Sequence, residues 1–514
     1  MNVFAELTPR KQSGAALLAF LLVFVTAASF ALLKGLNETA TKQYRDAQTV
    51  KALAEAKAAL IGYAAGANIV PDGNCGSAYN CPRPGDLPCP DRDNDGDAEN
   101  QVPGCGTASG GCPSGMPQCR LGRLPWKTLR LPDLRDGSGE RLWYAVSDNF
   151  KLIPRRPCGS SGSPECLHSG THGTITVRNA NEAIRHNGTD MSGAIAVVFA
   201  PGPVLRRQGA TFDQNRACTN CDARDKCLSG PPTVVPRCDP ENYLDTWSSL
   251  SLIEDNQDFV DNSDINGFIE GPVFDAQGNL IINDKLAVIT YENLMPLLEK
   301  RVVGEVTNCL DAYAQVPTNL NRYPWAAKLD TSEDPEYGDD GGLTPTRFGR
   351  VPDGLPDPVP PVLWAVDSDE QFTTTRVDSG NAMAKSWPLG KCLIVSTKSK
   401  NTWWLNWKES VFYGVADAYI PGDTTAIPTA CATPGACLTV LPTAADAKFV
   451  VIAAGRSLAG VAEGQLRADP SQKGLIDNYL EPPENTTVPP TNETFASGPV
   501  TPAFNDVVCK DGSC

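Results

Sequence analysis

Five acidic side chains fall within nine residues of this 514-residue chain, in the run Asp91-Arg-Asp93-Asn-Asp95-Gly96-Asp97-Ala-Glu99. Carboxylates at the first, third and fifth positions, with glycine sixth for a sharp turn, suit a hard cation that takes about six to eight oxygens. Asp97 at the seventh position would offer its backbone carbonyl, and Glu99 falls at the ninth. Val102 stands at the twelfth, where a complete EF-hand places a bidentate glutamate. The pattern is therefore closer to the short DxDxDG calcium loops of extracellular repeats. The expected ligand is calcium, held by Asp91, Asp93, Asp95, Asp97 and Glu99; the competing reading is a solvated acidic turn. A second acidic stretch, Glu333, Asp334, Glu336, Asp339 and Asp340, lacks that spacing.

Other reactive residue types carry less. Cys218-Thr-Asn-Cys221 with Cys227 and Cys238 has zinc-knuckle spacing, but fourteen further cysteines favour disulfides. His168 and His172 are four apart, yet Gly170 and Gly173 argue for a loop rather than one helix face. There is no Gly-x-Ser-x-Gly elbow and no phosphate-cradling glycine loop with lysine. A carboxylate pair for glycoside hydrolysis is a matter of separation in space, which a sequence does not display. Trp403, Trp404 and Trp407 form a binding platform or pack a core, and core packing is the expectation. No catalytic residue is assigned, and no enzymatic activity is expected.

These residues must be held by helices and short strands. A basic leader, with Arg10 and Lys11, precedes a charge-free run of 19 residues from Ala15 to Leu33. At about 1.5 Å per residue such a helix nearly crosses a hydrocarbon core of roughly 30 Å. The flanking positives place the leader in the cytoplasm and the remainder outside. A secretory signal peptide is the competing reading, but this run exceeds the usual h-region of about 7–15 residues. Beyond it, Tyr44, Ala47, Val50, Leu53, Ala56, Leu60 and Ala64 recur at steps of three or four, an apolar helical stripe. The pattern predicts one helix over 15–65, half in lipid and half packed on a soluble domain.

Gly14 before an apolar helix that continues into a Tyr- and Ala-bearing amphipathic half resembles a type IV pilin or type II secretion pseudopilin. The resemblance covers about residues 8–66. It implies cleavage by a prepilin peptidase between Gly14 and Ala15, and bundling of the helix with other pilin-like subunits. Two departures stand out. Ala15 occupies the position where Phe or Met is usual, and Ala19 stands where most members carry glutamate. The tip-type pseudopilin also lacks that glutamate, so a minor or tip subunit is expected.

A formal net charge of −16 argues against nucleic acid or an anionic membrane surface as the main partner. All 18 cysteines follow residue 70, so disulfides formed in an oxidising compartment are expected. Close pairs such as Cys75/Cys81, Cys105/Cys112, Cys158/Cys166, Cys431/Cys437 and Cys509/Cys514 are plausible local loops.

The exported part repeats its landmarks in order. Leu60 to Ala64 matches Leu310 to Ala314, and Pro88-Cys89-Pro90 matches Pro324-Trp325. Gly122-Arg123 matches Gly349-Arg350, and Trp143-Tyr144 matches Phe412-Tyr413. Ala196 to Gly202 matches Phe449 to Gly455, and Asn242-Tyr243-Leu244 matches Asn478-Tyr479-Leu480. Leu363-Trp364 also resembles the Trp143-Tyr144 landmark. The second helix is expected at about 294–314, with Pro296 in its first turn. The fold class expected is α+β: a long N-terminal membrane-spanning helix, then two tandem pilin-like helix-plus-antiparallel-sheet units, disulfide-rich. The divisions are a leader at 1–14, a helix at 15–66, head units at 67–285 and 286–480, and a flexible Pro/Thr/Asn-rich tail at 481–514. The expected role is an inner-membrane, single-pass minor pilin-like subunit of a type IV pilus or type II secretion filament. Its extracytoplasmic head would serve adhesion or partner contact. The alternatives are an anchored extracytoplasmic hydrolase and a calcium-stabilised adhesin.

Overall fold

The computed structural model describes residues 13–67, 83–98, 120–151, 167–205, 240–244, 267–327, 346–352, 403–421, 436–458 and 474–514, apart from 93, 443–444, 482, 488 and 490. It also describes isolated positions, among them Cys105, Gln214, Arg216, Asn256, Trp387, Cys392, Cys431, Gln465 and Arg467; side chains of the first helix are described from residue 39.

Helix α1 runs Ser13–Ala65. The first half of the head follows as β1 Leu121–Arg123, β2 Trp143–Val146, β3 Val177–Arg178, β4 Ile184–His186, β5 Ala196–Ala200, β6 Phe268–Ile269, β7 Val273–Phe274, β8 Leu280–Ile282 and β9 Lys285–Ile289. Helix α2, Tyr291–Ala314, opens the second half. It leads to β10 Phe348–Arg350, the short α3 Trp404–Trp407, β11 Val411–Val415, β12 Leu438–Leu441, β13 Ala445–Ala447, β14 Phe449–Ala453, β15 Thr494–Ala496 and β16 Val507–Lys510.

The halves share one topology. A four-stranded antiparallel sheet has the order β1-β2-β5-β9 in the first and β10-β11-β14-β16 in the second. A three-stranded sheet accompanies each, ordered β4-β3-β6 and β13-β12-β15, with β3 parallel to β6 and β12 parallel to β15. Only the first half adds a β7-β8 hairpin among the described residues. Equivalent atoms make equivalent bonds. Tyr144 Oη donates to Pro88 O and Tyr413 Oη to Pro324 O, each at 3.1 Å. Gly122 and Gly349 face those tyrosines across the ladder. A Cβ on Gly122 would come within 2.7 Å of the Asp91 carbonyl, so only glycine fits there.

The central strands β2, β5, β11 and β14 are apolar along their whole length because both faces are covered. On β5, Ala196 and Val198 point into the main core, while Val197 and Phe199 point into a second cluster with Trp143, Tyr243 and Phe268. The main core runs through both halves. Helix α1 lies on β5 and β9, α2 lies on β14 and β16, and the two helices pack against each other. Leu53, Ala56, Leu60 and Ala64 of α1 are buried there with Leu294, Leu298, Val302 and Val306 of α2. Trp403, Trp404 and Trp407 are buried in this same core and form no surface platform.

The structure corrects the expected fold class. Among the described residues no helix is long and apolar enough to cross a membrane. The chain is mostly small antiparallel sheets carrying two long helices, rather than a membrane-spanning helix ahead of tandem pilin-like units. The described side chains of α1, from residue 39, belong to the half expected outside lipid and are charged at Lys42, Arg45, Asp46, Lys51 and Glu55; the side chains of the expected span at 15–33 lie outside the described residues. The apolar stripe of α1 is only half used, since Tyr44, Ala47 and Val50 are exposed while Leu53 onward is buried. The expected flexible tail instead supplies β15 and β16, and buries Glu481, Asn485, Asn505 and Asp506. Helix α2 begins three residues before the expected start, capped by a bond from Thr290 N to Asn293 Oδ1 of 3.1 Å, so Pro296 sits in its second turn.

Four disulfides join described cysteines: Cys89–Cys105, Cys309–Cys392, Cys431–Cys437 and Cys509–Cys514. The last two are the local loops expected from spacing. Cys105 pairs with Cys89 rather than with Cys112, which lies outside the described residues. Cys75, Cys81, Cys158 and Cys166 lie outside the described residues.

Asn256 and Asn485 are buried amides with the same three bonds. Each accepts from a backbone N–H, at Ile269 or Ala496, by 2.8 Å. Each donates to that residue's carbonyl and to a carboxylate, Asp284 at 2.8 Å or Asp506 at 3.0 Å. Replacing either by alanine orphans buried groups and is expected to cost about 2–3 kcal/mol. Urea unfolding of Asn256→Ala and Asn485→Ala should show losses of similar size; a large loss in one alone would refute their equivalence.

Candidate functional site

The acidic loop is a folded turn. Asp91 is buried, and its Oδ2 accepts from Gly96 N at 2.8 Å. Its backbone pairs with Arg123 of β1 through N–H···O bonds of 2.9 and 2.6 Å. Asn94 and Gly96 take left-handed φ values of 64° and 94°, and a Cβ on Gly96 would meet the Trp126 ring at 2.6 Å. Asp95 Oδ1 accepts from Asp97 N at 2.7 Å. Cations of the protein stand close by. Arg141 Nη1 donates to Asn94 O at 2.9 Å, and Lys127 Nζ is 3.8 Å from the Asp97 carboxylate. Of the five expected ligands, Asp91, Asp95 and Asp97 share the turn, while Asp93 and Glu99 lie outside the described residues. Among the described residues no group of three or more His, Cys, Asp or Glu side chains is placed to hold a metal ion. Gly14 and Ala15 fall in the first turn of α1.

His168 and His172 do not converge. His168 Nδ1 accepts from Gly170 N at 2.9 Å, and His172 Nδ1 meets Gly173 O at 2.9 Å. The Cys218, Cys221, Cys227 and Cys238 set and the acidic stretch at 333–340 lie outside the described residues.

The most organised polar centres were not singled out by sequence reasoning. In each half an arginine–tyrosine–arginine stack fills the space behind the sheet. Arg123 lies 4.2 Å from the Trp143 ring and 3.9 Å from Tyr243, with Arg216 5.1 Å from the same tyrosine. Arg350 lies 4.1 Å from Phe412 and 4.3 Å from Tyr479, with Arg467 at 5.0 Å. Arg216 donates to the carbonyls of Asn242, Gly202 and Tyr243 and to Gln214 Oε1. Arg467 repeats the set with Asn478, Gly455, Tyr479 and Gln465. Burial holds the guanidinium pKa values of Arg123, Arg216 and Arg467 below the usual arginine value. The signals were present in the chain as Gln214-x-Arg216 with Gln465-x-Arg467, and as Asn283-Asp284 with Asn505-Asp506 just before the last strand of each half.

A buried carboxyl cluster sits where the halves meet. Glu299 of α2, Glu481 and Asp506 are only 1%, 2% and 3% exposed. Glu299 Oε1 is 3.2 Å from Tyr291 Oη, which donates to Ser169 O of the first half at 2.7 Å. Asp506 Oδ2 accepts from Glu481 N at 3.2 Å, and Glu481 Oε2 accepts from Asn505 N at 3.2 Å. Burial pushes the Glu299 carboxyl up to about 8. Burial raises Glu481 and Asp506 too, and the Glu481 charge raises Asp506 further. All three carboxyls are enclosed within the fold.

Compared with known proteins, the chain matches no family model, and no curated protein and no solved structure is significantly similar to it.

Proposed function

We propose that the protein is an exported, disulfide-bonded assembly subunit of the minor pilin or pseudopilin kind, joining a type IV pilus or type II secretion filament through α1. One observation carries this reading. Helix α1 is 53 residues long, yet within its described part the head buries its apolar stripe only from Leu53 onward. Tyr44 and Val50 on the same stripe are 72% and 61% exposed. A helical stripe left open beside a packed head is suited to a neighbouring helix. The disulfides support folding in an oxidising compartment, and Gly14 just ahead of the apolar run supports cleavage between Gly14 and Ala15. The head, built twice over on one plan, is the part that would meet the partner.

In this reading the mature chain begins at Ala15, which intact-mass spectrometry checks. A start near residue 30 would sink the proposal. Tyr44→Glu with Val50→Glu should leave the melting temperature of the head unchanged, since both side chains are exposed, and should abolish recovery of the protein with sheared filaments.

The 91–99 turn is proposed as a calcium loop that stiffens the β1 edge. Its support is the buried Asp91 carboxylate turned onto Gly96 N, with Asp95 and Asp97 on the same turn. Calcium at about a hundred times its Kd would add about 2.7 kcal/mol to stability. Melting with calcium and with chelator should differ accordingly. The difference should vanish in Asp95→Asn, whose amide oxygen keeps the bond from Asp97 N; equal shifts in both proteins would refute the site.

A further inference from the structure

The Tyr291 hydroxyl stands between two acceptors, the Ser169 carbonyl at 2.7 Å and Glu299 Oε1 at 3.2 Å. A phenol has one proton to donate. With that proton on Ser169 O, the contact to Glu299 is a hydrogen bond only if the carboxyl carries its own proton and donates to the tyrosine oxygen. The arrangement spans both halves of the head: Ser169 belongs to the 167–171 loop of the first, and Tyr291 and Glu299 open α2 of the second. Behind them, Glu481 and Asp506 form a second pair of carboxyls fixed by Asn485, Asn505 and Gln465.

We propose that this junction is a pH-operated latch: Glu299, Glu481 and Asp506 hold it closed as neutral or proton-sharing acids, and their ionisation in alkaline medium frees the 167–171 loop from α2. Ionised Glu299 takes the Tyr291 proton into its own hydrogen bond. The Ser169 carbonyl then loses its donor, and a charge stands in the buried junction.

Burial outweighs the groups that face Glu299. The Tyr291 hydroxyl, from its own helix, favours the charged form through its hydrogen bond. Arg467 favours the charged form but is already engaged with three carbonyls and Gln465, while Glu481 opposes it. Arg456 stacks 5.4 Å from the Tyr291 ring and pairs outward with Glu292 at 3.1 Å. The first half contributes the Ser169 carbonyl. His168 beside it accepts from Gly170 N at 2.9 Å.

Burial holds Glu299 up at about 8 in the fold against its ordinary 4.5. The stabilisation is full below the lower value and is lost as pH climbs through the upper one. Amide exchange of the whole protein, corrected for intrinsic exchange, reads this directly. Protection at Gly170 and Thr171 should fall about tenfold per pH unit between about 5 and 8 and then level, while β14 stays protected. In Glu299→Gln, whose amide can donate to Tyr291 at any pH, the loop should hold constant protection over that window. Flat protection in the wild type, or a Glu299→Gln slope equal to the wild type's, overturns the latch. If Glu299→Gln does not fold, the wild-type profile alone decides.

Discussion

The contact between α1 and α2 is the constraint on which the rest of the head depends. Each four-stranded sheet needs an apolar layer over one face, and each helix supplies it for its own half. The remaining apolar surface of the two helices is buried against each other, so the core does not stop at the boundary between halves. Lys57 secures this joint. Its ammonium donates to Val288 O on β9 at 2.7 Å and to Asn293 Oδ1 at the start of α2 at 2.8 Å. One side chain thus ties the first helix, the last strand of the first sheet and the cap of the second helix.

A chain with 45 glycines and 43 prolines has much irregular backbone, and buried carbonyls in irregular backbone need donors. The stacked arginines meet that need. A guanidinium carries five N–H donors in a fixed fork and lies flat on an aromatic face, so one residue serves several carbonyls and fills apolar space too. Both halves use the same solution at Arg216 and Arg467, each bonded to a glutamine side chain and to equivalent carbonyls at Gly202, Asn242 and Tyr243 or Gly455, Asn478 and Tyr479.

Part of this was legible beforehand. The landmark pairs Gly122-Arg123 with Gly349-Arg350, and Tyr144 with Tyr413, were readable because a glycine under a close backbone approach and a tyrosine bonded to a carbonyl tolerate few replacements. The local disulfides Cys431–Cys437 and Cys509–Cys514 were readable because short loops close on themselves. Cys89–Cys105 was not, since its partners are 16 residues apart and spacing favoured nearer cysteines. Nor was Glu299: on α2 it is one glutamate among several, and its burial comes from the Ser169 loop and the Glu481 segment, both distant in sequence. The membrane-spanning expectation rested on the hydropathy of 15–33 alone; what the structure describes of α1 side chains is the later, charged length, which is committed to a sheet.

By itself the sequence determined the helical period of α1 and α2, the apolar central strands, the turn at 91–97 and an export-compatible cysteine pattern, because all of these follow from local spacing and residue chemistry. Only the tertiary structure decided which half of the described α1 stripe is buried, that the final segment closes the second sheet, and that three carboxyls share a buried junction. Those outcomes depend on which distant surfaces meet, and burial and the loss of water that shift a carboxyl's proton are properties of that meeting rather than of any residue.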